Sequence, residues 1–334
     1  MLGRVVAMRR REFITLLGTA AVVPTVTARA QQKVWKIGII TAVSPQSFTF
    51  SSLYGAFVKG MREFGHVEGK DFIVEWRSVE GHYERYSGLI AELIQLKVDV
   101  IVTASSPAYR LLQRATDTIP IVIVSLTDPV GGGFVASLNH PGGNITGLAT
   151  SFEEVAPKQI ELLSMVVPNM ARVGLLGNPG SPSYLSVRDY VQSAAAKARL
   201  SLTVVEAGNM EQIAGAFNAF KTAGVQGFIA AADPLFFGER DRLAQLAISN
   251  GLPSMFPQRE YTVAGGLMSY GENLSDFFYR AAYFVDQIFK GVKPGDLPIQ
   301  QPTLFHLVIN RITAKTLDLA VPLRLYEFAD EVIE

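Results

Sequence analysis

Ser105-Ser106-Pro107-Ala108 reads as the head of a helix, where two hydroxyls and free first-turn amides suit the binding of a carboxylate. The same residues also make an ordinary helix cap, since serine before proline at the first helical position is a common start, and both uses stay open. Asp128-Pro129 and Asp233-Pro234 offer the complementary chemistry. Either carboxylate can pair with a ligand ammonium or accept from a hydroxyl, and either can simply begin a turn. The polar loop from Asn178 to Tyr184 brings Asn178, Ser181 and Ser183, which can reach across a cleft, and the flat face of Tyr184. Ser44, in the run Thr41 to Phe50, and Tyr270, beyond the bend at Gly265-Gly266, complete the expected ligand-binding set. Phe48, Phe50, Phe236, Phe237 and Phe256 lie in or beside these loops and fit either a core or the apolar body of a ligand.

Other chemistries lack their residues. His66, His82, His140 and His306 are scattered, with no metal-ligand spacing and no Gly-x-Ser-x-Gly elbow. Gly131-Gly132-Gly133 lacks the Lys-Ser/Thr of a triphosphate loop and the spaced glycines of a dinucleotide fingerprint, so it reads as a tight turn. There is no cysteine, which closes disulfides and cysteine metal sites. The expectation is a chain with no catalytic residues, no metal and no cofactor.

Short β-branched runs alternate with segments of helical period from Val34 onward, the pattern of βαβ units and parallel sheets. Strands are expected at Trp35 to Ile40, Phe72 to Trp76, Val98 to Val102 and Ile121 to Ser125. Between them, Leu53, Phe57, Met61 and Phe64 form a helix stripe capped by Ser51 or Ser52, and Tyr86, Leu89, Ile90, Leu93 and Ile94 form another. Gly131 to Leu138 reads as a short helix begun by glycines. Pro141 to Asn144 is a turn cluster read as the first domain crossing, after which a second strand and helix series runs from about Glu153 to Phe256. A further helix at Leu274 to Phe289 and a last strand at Phe305 to Ile309 suggest that the chain crosses back between two similar α/β lobes. Ligands of such sheets bind beyond the carboxyl ends of the strands, which is where the residues above fall.

Met8 to Gln31 stands apart from this pattern. Arg9 to Arg11, a modest apolar run from Phe13 to Val23 and the small-x-small site Ala28-Arg29-Ala30 read as an export signal over residues 1–30. Arg10-Arg11-Glu12-Phe13-Ile14 resembles the twin-arginine variant, and the run is too short for a spanning helix. The remainder, about 300 residues, fits two domains of ordinary size. Basic and acidic residues balance at 30 each, so no net field draws nucleic acid or an anionic membrane, and the expected partner is a small molecule or a protein.

Several segments in order resemble one family, the periplasmic substrate-binding proteins of ABC transporters, in the branch related to tryptophan/tyrosine-type binders. They are the leader Arg9 to Ile14, Phe64 to Gly69 with Glu75-Trp76-Arg77, Thr118 to Val122, Asp128-Pro129-Val130, Ser137 to Gly147, Gly265 to Gly271, and Leu297 to Thr303. The resemblance implies a two-lobed type I periplasmic binding protein fold, each lobe a mainly parallel sheet flanked by helices, joined by three crossing segments near Gly147, Tyr270 and Gln300. The N-terminal lobe would comprise 34–147 plus 271–299, and the C-terminal lobe 148–270 plus 300–334. It implies a monomeric, soluble periplasmic receptor that delivers a small carboxylate-bearing ligand, with aromatic and amino-acid-like bodies open, to an inner-membrane ABC permease. In amino-acid-binding relatives, the loop matching Ser105-Ser106 takes the carboxylate and an acid takes the amine, Asp128 and Asp233 being the candidates. An exported sensing partner of a membrane kinase and an exported α/β enzyme are the alternative readings; a transcription regulator on this fold would carry a DNA-binding N-terminus instead of an export signal.

Overall fold

The computed structural model describes residues 33–42, 44–80, 82–301 and 303–334, so the expected export segment lies outside the described residues. The first sheet is built from β1 (Trp35–Thr41), β2 (Phe72–Ser78), β3 (Val100–Thr103), β4 (Ile121–Leu126) and β5 (Ile145–Ala149). All are parallel, in the order β2-β1-β3-β4-β5. Their apolar runs split by the period of two. Ile37, Ile39, Val100, Val102, Val122 and Val124 face one core, while Ile40, Ile101, Ile121 and Ile123 face another. Buried on both faces, β1, β3 and β4 carry apolar residues at almost every position and so read as runs in the sequence, whereas the edge strand β2 is only partly buried.

Helices α1 (Phe48–Glu63), α2 (Tyr86–Gln95) and α3 (Ser106–Ala115) connect the strands. The cap of α1 is Ser47, not Ser51 or Ser52: Ser47 has the extended backbone a cap needs, and its Oγ accepts from the Phe50 N–H at 3.1 Å. The helix expected over Gly131 to Leu138 is a series of turns, since Asp128 and Gly133 both take positive φ and break the helical path. Pro141 to Asn144 is not a crossing but the lead into β5, a strand whose central Gly147 hid it in the sequence.

The second sheet holds β6 (Arg172–Gly177), β7 (Ser201–Glu206), β8 (Gly227–Ala230), β9 (Ser254–Phe256), β10 (Met268–Gly271), β11 (His306–Asn310) and β12 (Glu331–Ile333), in the order β12-β11-β10-β9-β8-β6-β7. Only the β10–β11 pair is antiparallel. With it go α4 (Phe152–Val166), α5 (Tyr184–Lys197), α6 (Met210–Thr222), α7 (Pro234–Gly238), α8 (Arg240–Ser249) and α9 (Arg259–Val263). α7 ends at Gly238, and α8 begins after Glu239. β10 and β12 were not anticipated, both being short segments beside longer loops.

α10 (Leu274–Phe289) follows the second sheet in sequence yet packs on α1 and against β3, β4 and β5. The approach is close: a Cβ on Gly60 of α1 would sit 2.4 Å from the Tyr279 carbonyl oxygen. Trp35 stacks on Phe289 at 4.3 Å, and the fully buried Asp286 takes His66 Nε2 at 3.0 Å and Lys290 Nζ at 2.7 Å. His66, in the turn after α1, therefore sets its ring against a carboxylate that could not stay buried alone.

The chain passes between the sheets after Ala149, between β10 and α10, and before β11. The passages are tied together: Ala149 N–H donates to Gln300 O at 2.9 Å, and Ser151 N–H donates to Glu272 Oε1 at 3.1 Å. Burial pushes the Glu272 carboxyl above its ordinary range despite that amide. In the first sheet the strand order reverses at β1 and β3, the place where such sheets open a crevice.

Candidate functional site

A cavity of about 60 Å³ lies at that crevice, beyond the carboxyl ends of β1, β3 and β4 on one side and β8 and β9 on the other. Its polar lining is Thr41, Ser106, Ser125, Thr127, Asp233 and Gln258; Leu53, Phe237, Leu274 and Phe278 supply apolar wall. Among the lining side chains Asp233 alone is charged in the ordinary state, and none is basic.

One pole of the cavity is the start of α3. Ser105 is the cap residue, with extended backbone, but its side chain makes no capping bond. Its hydroxyl is instead buried against the Tyr86 hydroxyl at 2.5 Å, and its N–H donates to Thr103 Oγ1 at 3.3 Å. Ser106, one residue on, lines the cavity; of the residues that follow, Pro107 has no N–H and Tyr109 N–H donates to Ser105 O at 3.2 Å. The start of α3 is the positive end of its dipole, a natural seat for a carboxylate where no basic side chain is present.

The other pole is Asp233, 5% exposed and caught at the head of α7. Its Oδ1 accepts from Tyr83 OH at 2.5 Å, Asn178 Nδ2 at 3.1 Å and Leu235 N–H at 2.9 Å. Its Oδ2 has no hydrogen-bond partner among the described residues. Burial pushes the carboxyl pKa up, while Tyr83, Asn178 and the backbone N–H groups of Leu235 and Phe236 oppose that shift. A buried carboxylate oxygen without a donor is costly, and a ligand ammonium or hydroxyl arriving there would relieve the cost.

The expected set divides accordingly. Ser106 and Asp233 line the cavity, and Asn178 stands directly behind Asp233, its Oδ1 in turn accepting from Gly180 N–H at 2.9 Å. Ser105 is turned away into the Tyr86 contact. Asp128 lies off the cavity, its carboxylate accepting from Gly131 N–H at 2.8 Å and Ser186 Oγ at 2.9 Å. Ser183 donates to Thr127 O at 3.3 Å, and Ser181 is a buried turn residue donating its N–H to Asn178 O at 3.0 Å. Ser44 hydrogen-bonds Gln46 within its own loop. Tyr270 packs on Phe305 at 5.9 Å, outside the cavity lining, while its carbonyl accepts from Gln159 Nε2.

Thr41, Ser125, Thr127, Gln258 and Tyr83 were not singled out from sequence. Thr41 ends β1, Ser125 lies within β4, and Thr127, Gln258 and Tyr83 stand in the loops after β4, β9 and β2, where the strand-end rule puts ligand contacts. Among the described residues no group of His, Asp or Glu is arranged to hold a metal ion.

The model of the family described as ABC transporter substrate binding protein matches residues 36–333. A tyrosine-binding protein of Clostridioides difficile is 22% identical over 263 residues, covering 79% of this chain and 75% of the relative. A conserved domain protein from Vibrio cholerae superposes with a TM-score of 0.82 at 25% identity, over 90% of this chain and 100% of the other. The ABC domain in complex with L-Trp from Streptococcus pneumonia superposes with a TM-score of 0.81 at 23% identity, over the same shares, a likeness of fold.

Proposed function

The chain belongs to the ABC transporter substrate binding protein family, and from that premise we propose that it is an exported receptor for a small, amino-acid-like solute. The solute enters between the lobes, its carboxylate at the head of α3 beside Ser106 and its ammonium on Asp233. The carrying observation is the polarity of the cavity: a helix N-terminus at one pole, a buried carboxylate oxygen without a donor at the other, and no basic side chain between. A zwitterion matches both poles at zero net charge, whereas a second anionic group would face Asp233 with no cation to offset it.

Phe237 and Phe278 flank the poles and fit an apolar or aromatic body, in keeping with relatives named for tyrosine and bound to L-Trp. The two lobes part to admit such a body and close on it. On this reading the first lobe ends near Ala149 and regains α10, and the closed face is presented to a membrane permease. No helix of the described residues is long and apolar enough to cross a membrane, which suits a receptor that works in the periplasm.

The test is a thermal-shift screen of the protein without residues 1–30 against L-tyrosine, L-tryptophan, other amino acids, aromatic acids and dicarboxylates. A solute that binds only the folded state raises Tm; at a hundred times its Kd the stabilisation is about 2.7 kcal/mol. Shifts confined to zwitterions support the reading. Shifts confined to dicarboxylates, or none with any amino acid, would sink it.

A further inference from the structure

Tyr83 and Asp233 come from opposite sides of the crevice. Tyr83 lies in the loop between β2 and α2, on the side of the first sheet, whereas Asp233 follows β8 of the second. The Tyr83 hydroxyl donates to Asp233 Oδ1 at 2.5 Å and accepts the Leu235 N–H at 2.6 Å, so it occupies both polar groups at the head of α7. Of the three donors on Oδ1, Asn178 and Leu235 travel with the second sheet, and Tyr83 alone reaches over from the first. Tyr86, one helical turn on, has its ring 6.0 Å from that of Tyr83 and its hydroxyl on Ser105 at the other pole. The two tyrosines therefore stand behind the two poles of the cavity.

We propose that Tyr83 is a positioning residue of the ligand site: reaching across the crevice, it holds Asp233 by Oδ1 and so keeps Oδ2 for the ligand only while the lobes are closed. This rests on the reading of Asp233 as the ligand's cation partner. With the lobes apart, Asp233 loses its strongest fixed donor and is free to turn, so pole and closure form together. The hydroxyl is half-buried at the crevice wall, and the bond it makes is to a charged acceptor, the kind whose loss weakens binding most.

Two measurements on the ligand-free protein test this without knowing the solute. The first follows the Asp233 carboxyl carbon by 13C NMR through a pH titration. Hydrogen bonds to the ionised form lower a carboxyl pKa, so Tyr83→Phe moves the Asp233 midpoint upward, a change that mere loss of packing does not produce. The second uses the absence of native cysteine: labels on Glu84→Cys and Glu239→Cys, which line one cleft from its two sides, report the distance across the crevice mouth. Tyr83→Phe lengthens it, while Tyr86→Phe, whose bond stays on one side, leaves it as in the parent.

A third arm titrates L-tyrosine and L-tryptophan; whichever binds is held about tenfold or more weakly by Tyr83→Phe, and the acid limit of binding shifts to higher pH. An unchanged midpoint with an unchanged distance overturns the role of Tyr83. A moved midpoint in a protein whose solute binding is indifferent to Asp233→Asn overturns instead the ligand reading beneath it.

Discussion

Asp128-Pro129 and Asp233-Pro234 are one dipeptide used twice, beyond β4 of the first sheet and beyond β8 of the second, and they do opposite things. Asp128 has a φ of 51°, which folds its carboxylate back over its own turn to Gly131 N–H and out to Ser186 on α5. Asp233 has a φ of −151°, which extends the chain and sets its carboxylate at the head of α7, inside the crevice. The first is satisfied twice over by protein; the second keeps one oxygen without a donor. The same dipeptide thus closes a turn in one half and lines the crevice in the other. They differ in backbone torsion and in partners, the Gly131 turn on one side and Tyr83 and Asn178 on the other.

The contrast is open to attack. The largest expected effect is on binding: Asp233→Ala weakens the solute identified in the thermal screen by more than about a hundredfold, measured by calorimetry, because it removes a buried charge partner. Asp128→Ala changes the same affinity by less than about threefold; a loss comparable to that of Asp233→Ala would erase the distinction. Next comes Gly131→Ala. A Cβ there would sit 2.2 Å from the Asp128 carboxylate, so the turn must reopen, destabilising the fold by about 1–3 kcal/mol in urea titration. Ser106→Ala should weaken solute binding by about five- to tenfold, one hydrogen bond's worth, with Tm unchanged.

The smallest effect is a gain. Asp233→Asn keeps an acceptor for the three donors on Oδ1 while removing the buried charge, so the ligand-free protein at neutral pH should melt higher by about 2 °C even as binding collapses. The sign follows from the raised pKa of Asp233. The folded state holds its proton longer than the unfolded chain does, so stability declines as pH rises from the ordinary value of 3.8 through the folded pKa. In the Asn variant that decline is absent; a parallel pH profile in both proteins would show that the carboxyl carries no burial strain.

Much of the scaffold was readable before any coordinates. The first four strands stand where their β-branched runs put them, and the helix stripes at Leu53, Phe57 and Met61 and at Tyr86, Ile90 and Leu93 are buried faces of α1 and α2. Strands without such runs were not readable. β5 is interrupted by Gly147, and β12 is a short strand with Glu331 in it, paired only because β11 is there to receive it. The strand-end rule likewise found the right loops but not the right atoms within them. Ser105 and Ser106 are neighbours of the same type, yet the first turns into Tyr86 and the second toward the crevice.

The sequence by itself determined the alternation of strands and helices, the doubling of that alternation and the loops from which a site could be made, because hydrophobic period and turn residues are local and each segment carries its own. Tertiary structure alone decided which of two Asp-Pro pairs faces the crevice, which of two serines lines it, and that a tyrosine from the far side holds Asp233. Those outcomes depend on single torsions and on partners distant in sequence, such as the 150 positions between Tyr83 and Asp233. No local pattern records a contact that exists only once the two halves have met.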